Sequence, residues 1–86
     1  MWRCLVIEDE PEHARYIATG LRELGHAVVH CRDGVTGLAR AVEGNWDVVV
    51  LDRMLPGDVD GLAILATLGR LGKKTPVLVL SALSAV

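Results

Sequence analysis

Residues 47–57 read DVVVLDRMLPG, an apolar run with an acid at each end and a proline–glycine pair behind it. Such a run is typical of a strand that is covered on both faces in a parallel sheet. On either side of it, short apolar runs alternate with segments of helical periodicity, and Gly, Pro or Asp marks each junction. This alternation predicts an α/β fold built from βαβ units.

The other elements follow from the same pattern. Strands are predicted at 4–7, 27–29, 47–52 and 77–81, and helices at 11–24, 34–43 and 61–71, with Asp33 and Asp60 as the caps of the last two. Right-handed crossovers with helices on both faces give a doubly wound sheet with strand order 2-1-3-4. The apolar helix residues expected in the core are Ala14, Ile17, Leu21, Leu24, Val35, Leu38, Ala39, Val42, Leu62, Leu65, Leu68 and Leu71.

Strand four is expected at an edge of the sheet, yet its residues are as apolar as those of the central strands. Residues 77–80 are VLVL, without the charges or proline that discourage pairing, whereas strand two has the polar neighbours His26, His30 and Arg32. The six residues after Leu80 are too few for a crossover helix and a further strand. We therefore expect 1–86 to be the amino-terminal (βα)3β portion of a longer fold, or strand four to pair with another molecule.

Composition narrows the class of protein. The chain has 86 residues, 51% of them hydrophobic, and a net charge of -2, which predicts one small domain without a basic surface for nucleic acid or anionic lipid. It contains no apolar stretch near the ~20 residues of a membrane span and no signal peptide, so a cytoplasmic location is expected.

Cys4 and Cys31 are expected to be reduced, with about four residues of strand offset between them.

Three acids are predicted to meet at one edge of the sheet. Glu8 and Asp9 follow strand one and Asp52 ends strand three, and ligands of doubly wound sheets bind at the carboxyl ends of such adjacent strands. Carboxylates that converge in this way repel each other unless a cation is present, and Mg²⁺ prefers such oxygen ligands. Ser81 is expected at the same rim, where its hydroxyl could hydrogen-bond a phosphoryl oxygen.

The motifs VIEDE at 6–10, LDRMLPG at 51–57, DGL at 60–62 and TPVLVLSA at 75–82 closely resemble the receiver domain of two-component response regulators. The resemblance covers the whole chain and implies a flavodoxin-like fold. The MLPG motif at 54–57 is most similar to that of the subfamily whose receivers precede a winged-helix DNA-binding domain. DNA would then be bound only by an effector domain outside this chain.

The resemblance also implies roles for individual residues. Asp52 would accept a phosphoryl group from a sensor histidine kinase, without independent enzymatic turnover. Glu8 and Asp9 would form the acid pair of the metal site, with Mg²⁺ bound by Asp9, Asp52 and the backbone carbonyl of Met54. Ser81 would be the switch hydroxyl.

Two departures from the family pattern are visible. Asp58 and Val59 stand between the Pro-Gly and Asp-Gly pairs of the loop after strand three, where the resemblance predicts one residue. A full receiver also continues into a fourth helix, a fifth strand with a phosphate-binding lysine, and a fifth helix. We therefore expect weak or no phosphorylation of these 86 residues alone.

An alternative function is that of an interaction module. In this reading the apolar edge of strand four drives homodimerisation or strand exchange without phosphotransfer. Such dimers would depend on protein concentration and not on Mg²⁺.

Overall fold

A computed structural model describes residues 1–80 of the chain. Four strands and three helices alternate along it. The strands are β1 (Arg3–Ile7), β2 (Ala27–Cys31), β3 (Val48–Asp52) and β4 (Val77–Leu80), and the helices are α1 (Pro11–Glu23), α2 (Gly34–Glu43) and α3 (Gly61–Arg70).

The strands form one parallel sheet in the order β2-β1-β3-β4, which confirms the predicted fold. Both predicted N-caps are also confirmed, since the Asp33 carboxylate accepts the Thr36 N–H at 2.8 Å and the Asp60 carboxylate accepts the Ala63 N–H at 2.8 Å. The prediction for β3 was one residue too long. Asp47 precedes the strand, and its carboxylate accepts the N–H of Arg3 at 2.7 Å.

The sheet is covered by α1 on one face and by α2 and α3 on the other. The larger core lies under α2 and α3, where Leu5, Ile7 and Leu51 of the central strands are fully buried. On the opposite face, the small residues Ala14 and Ala18 bring α1 close to β1. Strand alternation explains this division, because successive residues of a strand point to opposite faces.

The buried stripes of the helices differ from the predicted ones. On α3 the buried residues are Gly61, Ile64 and Leu68, whereas Leu62 and Leu65 are 48% and 39% exposed. The predicted leucines recur every third residue, and a helix turns about 100° per residue, so each step drifts about 60° around the axis. Residues spaced in that way cannot all lie on one face.

The same correction applies to the other two helices. On α2 the buried residues are Gly34, Gly37 and Ala41, while Val35 is 66% exposed. The remaining predicted core residues that turn out exposed are Ala39, Leu24 and Leu71. Glycine and alanine form these stripes because the helices lie too close to their neighbours for larger side chains.

The two edge strands of the described sheet differ in how they are protected. The carbonyl oxygen of Val28 in β2 accepts a hydrogen bond from Nη2 of Arg22 at 3.2 Å, which covers part of that edge. On β4, Leu78 is 57% exposed and Val79 is 36% exposed. Leu78 pairs with Val50 and therefore lies on the α1 face, at the end of the sheet that α1 does not reach. The prediction that strand four is an apolar edge is confirmed for residues 1–80.

The two cysteines are free and buried, as predicted. Cys4 pairs with Val28 and Cys31 with Ile7, so the offset between them is three residues and not four. An odd offset also places the two thiols on opposite faces of the sheet. A disulfide between them is therefore excluded by geometry.

Trp46 lies at the amino-terminal end of β3 and is a packing residue. Its side chain is 9% exposed, and its indole N–H donates to the carbonyl of Arg40 at 2.8 Å. The guanidinium of Arg3 lies 5.0 Å from the ring centroid. Among residues 1–80, no helix has the length and apolar character that crossing a membrane requires.

Candidate metal site

Three carboxylates meet at the carboxyl edge of the two central strands. Ile7 pairs with Leu51, so the residues that follow them, Glu8 and Asp52, lie side by side, and Asp9 comes next on the same rim. One oxygen from each of the three carboxylates lies within 4.8 Å of the other two. The sequence prediction that these acids converge is confirmed.

Glu8 is the most buried of the three acids, with 3% of its surface exposed. Its backbone N–H donates to the carbonyl of Cys31 at 3.0 Å, which fixes it to the end of β2. Its side-chain Oε2 accepts the N–H of Glu10 at 3.2 Å. Backbone contacts on both sides therefore hold the residue, and one of them orients its carboxylate.

The pKa of Glu8 is raised to about 7, chiefly by burial and then by the adjacent Asp52 carboxylate, which hydrogen-bonds the protonated form and adds its charge. The Asp9 charge acts in the same direction, whereas the N–H of Glu10 lowers the pKa. Like charges close together favour uptake of a proton. The site thus carries more negative charge than its surroundings neutralise.

Asp52 is half-buried at the end of β3 and is turned toward the loop that follows. Its Oδ1 accepts the N–H of Met54 at 3.0 Å, and Met54 itself is 63% exposed. The first loop residue, Arg53, is tied to the start of α3, because its carbonyl accepts the N–H of Gly61 at 3.3 Å. Met54 therefore lies beside Asp52, and Arg53 is exposed at the rim.

Two histidines that were not predicted to be site residues contact Glu8. Nε2 of His30 lies 2.7 Å from the carbonyl oxygen of Glu8 and must donate, since a carbonyl only accepts. Nδ1 of His13 lies 3.7 Å from Oε1 of Glu8. The position of His30 near Glu8 could be predicted from the strand order and the strand lengths, because these place the end of β2 beside the end of β1.

Ser81, the remaining predicted site residue, lies outside the described residues. Its role as a switch hydroxyl stays a prediction.

The donor set fits a hard divalent cation. Mg²⁺ binds oxygen ligands at about 2.0–2.1 Å, so ligands on opposite sides of the ion are separated by about 4.2 Å. Carboxylate oxygens within 4.8 Å of one another require only small side-chain adjustments to reach that geometry. The raised pKa of Glu8 is also what an acid cluster without a counter-charge produces.

Residues 4–86 match the family model for the response regulator receiver domain. This chain belongs to the receiver domain family. Among curated relatives, the transcriptional regulatory protein TcrA of Mycobacterium tuberculosis is 46% identical over 84 residues, which are 98% of this chain and 33% of TcrA. The transcriptional activator protein IrlR of Burkholderia pseudomallei is 45% identical over 80 residues, covering 93% of this chain and 34% of IrlR. This chain thus spans about a third of the length of these relatives.

Solved receivers have the same fold. The receiver domain of the Francisella response regulator 1452 superimposes with a TM-score of 0.91 at 34% identity, covering all of this chain and 70% of that one. TrrA from Thermotoga maritima, solved in complex with Mg²⁺-BeF, gives a TM-score of 0.89 at 31% identity, covering 98% of this chain and 72% of that one. TrrA has also been solved in complex with the histidine kinase ThkA. The flavodoxin-like receiver fold predicted from the sequence is confirmed.

Proposed function

We propose that this receiver accepts a phosphoryl group on Asp52 from a histidine kinase, in a reaction that depends on Mg²⁺. The observation that carries the proposal is the cluster of Glu8, Asp9 and Asp52, whose carboxylate oxygens lie within 4.8 Å of one another. An acid cluster of this kind favours a cation, and a cation permits an anionic phosphoryl group to approach a carboxylate.

Asp9, Asp52 and the backbone carbonyl of Met54 are the residues we assign to Mg²⁺, with Glu8 completing the acid set. The ion supplies charge neutralisation for the phosphoryl oxygens. The hydrogen bond from Met54 to Oδ1 of Asp52 holds that carboxylate in place and leaves Oδ2 as the nucleophile. Oδ2 attacks the phosphorus of the kinase phosphohistidine, the P–N bond breaks, and the imidazole leaves as the aspartyl phosphate forms.

The consequence we propose is a switch rather than enzymatic turnover. The phosphoryl group adds a charge of about -1.5 to -2, which would recruit the Ser81 hydroxyl and bias the segment after β4. The readout would be a transcription-regulating winged-helix domain outside these residues, which binds the DNA. The names of TcrA and IrlR and the complex of TrrA with ThkA support this assignment, as well as a cytoplasmic location.

The test is phosphorylation by acetyl phosphate with Mg²⁺, read by intact-protein mass spectrometry and by mapping of the modified residue. We expect slow addition of a single phosphoryl group at Asp52, lost in Asp52→Asn and when Mg²⁺ is chelated. Asp58→Asn, in the exposed part of the loop, is the control that should label like the wild type. Labelling at another carboxylate, or labelling independent of Mg²⁺, would contradict the proposal.

A second candidate function is self-association through β4. It is favoured by the exposure of Leu78 and Val79 at 57% and 36%, on a strand with no further partner within residues 1–80. Sedimentation velocity over a range of concentrations tests it, with Leu78→Lys as the disrupting variant. Dimers that dissociate in Leu78→Lys and ignore Mg²⁺ would support self-association, whereas a monomer at all concentrations would exclude it.

A further inference from the structure

The loop between β3 and α3, which carries Met54, is packed against glycines of two different helices. Gly61 begins α3 and lies so close to β3 that a Cβ there would overlap the carbonyl oxygen of Asp52 and lie 2.7 Å from Cα of Arg53. Gly34 begins α2 and lies against the far end of the loop. A Cβ there would overlap the carbonyl oxygen of Val59 and lie 2.8 Å from its carbonyl carbon.

The interior side chains of the loop support the same arrangement. Leu55 is 6% exposed and belongs to the core under α2 and α3, and the half-buried Val59 packs against that core. The residues between them, 56–58, are exposed. The loop is thus anchored at Leu55 and at Val59. Val59 is one of two residues, with Asp58, that occupy a place in the loop where the family resemblance predicts a single residue.

The geometry points to Gly34 as a positioning residue for the metal site. Docking of Val59 on Gly34 sets the path of the loop and, through the buried Leu55, the place of the adjacent Met54 carbonyl. This inference rests on the proposed function, because it assigns Met54 to Mg²⁺.

An alanine at position 34 should displace the loop rather than the helix. Real Cβ atoms essentially never approach another heavy atom to less than 3.0 Å, so Val59 or α2 must shift. α2 is fixed by the Asp33 cap and by Gly37, where a Cβ would lie 2.6 Å from a methyl carbon of Ile7. Residues 54–59 of the loop make no backbone–backbone hydrogen bond within residues 1–80. We therefore expect the loop, and not α2, to move when a Cβ is added at position 34.

The test compares Gly34→Ala with the wild-type 86-residue chain by ¹H–¹⁵N NMR, first without metal and then during Mg²⁺ titration. In the metal-free chain we expect the Met54 amide to shift, because its hydrogen bond to Asp52 depends on the loop. In the titration we expect about a tenfold loss of Mg²⁺ affinity, the size of effect that follows from disturbing the support of a metal ligand.

Gly44→Ala is the matched control at the opposite end of the same helix. A Cβ there would lie 2.5 Å from Nε1 of Trp46, far from the acids, so this variant should lower stability and leave Mg²⁺ affinity unchanged. Val59→Ala is a second test that avoids the steric overlap. It removes only the half-buried side chain and should weaken Mg²⁺ binding several-fold with a smaller shift of Met54.

The outcomes separate this inference from the proposed function. If the wild type shows no Mg²⁺ response, the proposed function fails, and the metal-free Met54 shift still tests the positioning contact. If the wild type binds Mg²⁺ and Gly34→Ala binds it equally well, or if Gly44→Ala loses as much affinity, Gly34 is not a positioning residue.

Discussion

Replacing Asp52 by asparagine should stabilise the metal-free chain, although it removes the proposed phosphoacceptor. The substitution keeps the shape of the side chain, and Asn Oδ1 can still accept the N–H of Met54. What changes is the charge beside Glu8 and Asp9. The variant therefore isolates the electrostatic strain of the acid cluster from its packing.

The expected magnitude follows from the geometry of the cluster. For two unit charges 4.8 Å apart, the outer limit of the separations, the repulsion is about 1 kcal/mol in a water-like medium and about 3 kcal/mol at an effective dielectric constant of 20. We expect Asp52→Asn to raise the free energy of unfolding by about 1–3 kcal/mol near pH 8. For a domain of this size, each kcal/mol corresponds to about 4–8 °C in Tm.

The gain should depend on pH because Glu8 titrates. Its pKa in the folded chain is about 7, above its ordinary value of 4.5, so its contribution to stability is full below pH 4.5 and is lost as the pH rises through 7. Asp52→Asn should reduce this loss of stability at high pH, because it removes one of the charges that repel ionised Glu8. Near pH 5 the folded wild type holds the proton on Glu8, and the gain should shrink.

Urea unfolding followed by circular dichroism, in the presence of a chelator and at about pH 5 and pH 8, measures both effects. Asp58→Asn controls for the removal of one negative charge at an exposed position. Asp52→Asn could instead be less stable than the wild type at pH 8, or its gain in the free energy of unfolding could be the same at pH 5 and pH 8. Either result would show that the acids are not electrostatically strained.

Three further predictions concern other features. Mg²⁺ affinity should fall as the pH drops below about 7, because Glu8 takes up a proton, and NMR titrations at two pH values should lose this difference in Glu8→Gln. Ile64→Ala should cost about 2–5 kcal/mol in urea unfolding and Leu62→Ala less than about 1 kcal/mol, since only Ile64 is buried; equal costs would contradict the observed stripe on α3. Cys4 and Cys31, whose burial raises their thiol pKa values, should react with an aromatic disulfide reagent only when the chain unfolds, and rapid native labelling would contradict their burial.

The fold was predictable because its signals are local and strong. The run from Val48 to Asp52 can only be a covered strand, and the crossover rule then leaves one strand order. The convergence of Glu8 and Asp52 follows directly, since both come at the carboxyl ends of adjacent parallel strands. Even the apolar edge at β4 follows from composition alone.

The helix faces and the support of the site were less predictable. Leucines at every third position of α3 look like a core stripe, but the buried stripe depends on which face the sheet meets, and Gly61 and Ile64 show that it lies elsewhere. The roles of Gly34 and His30 depend on the register between distant strands and on loop packing. Strand register and loop packing are set by tertiary structure, and no local sequence pattern predicts them.

Whether the three acids form one cation site is tested by an Mg²⁺ titration of the uniformly ¹⁵N-labelled chain, comparing the wild type with Asp9→Asn and Asp52→Asn. We predict saturable shifts centred on Glu8, Asp9, Asp52 and Met54, strongly weakened in both variants, with Asp58→Asn behaving as the wild type. A wild type that shows no saturable shift at these four residues, or that binds Mg²⁺ equally well without the Asp9 and Asp52 charges, would contradict the claim that the three acids form one cation site.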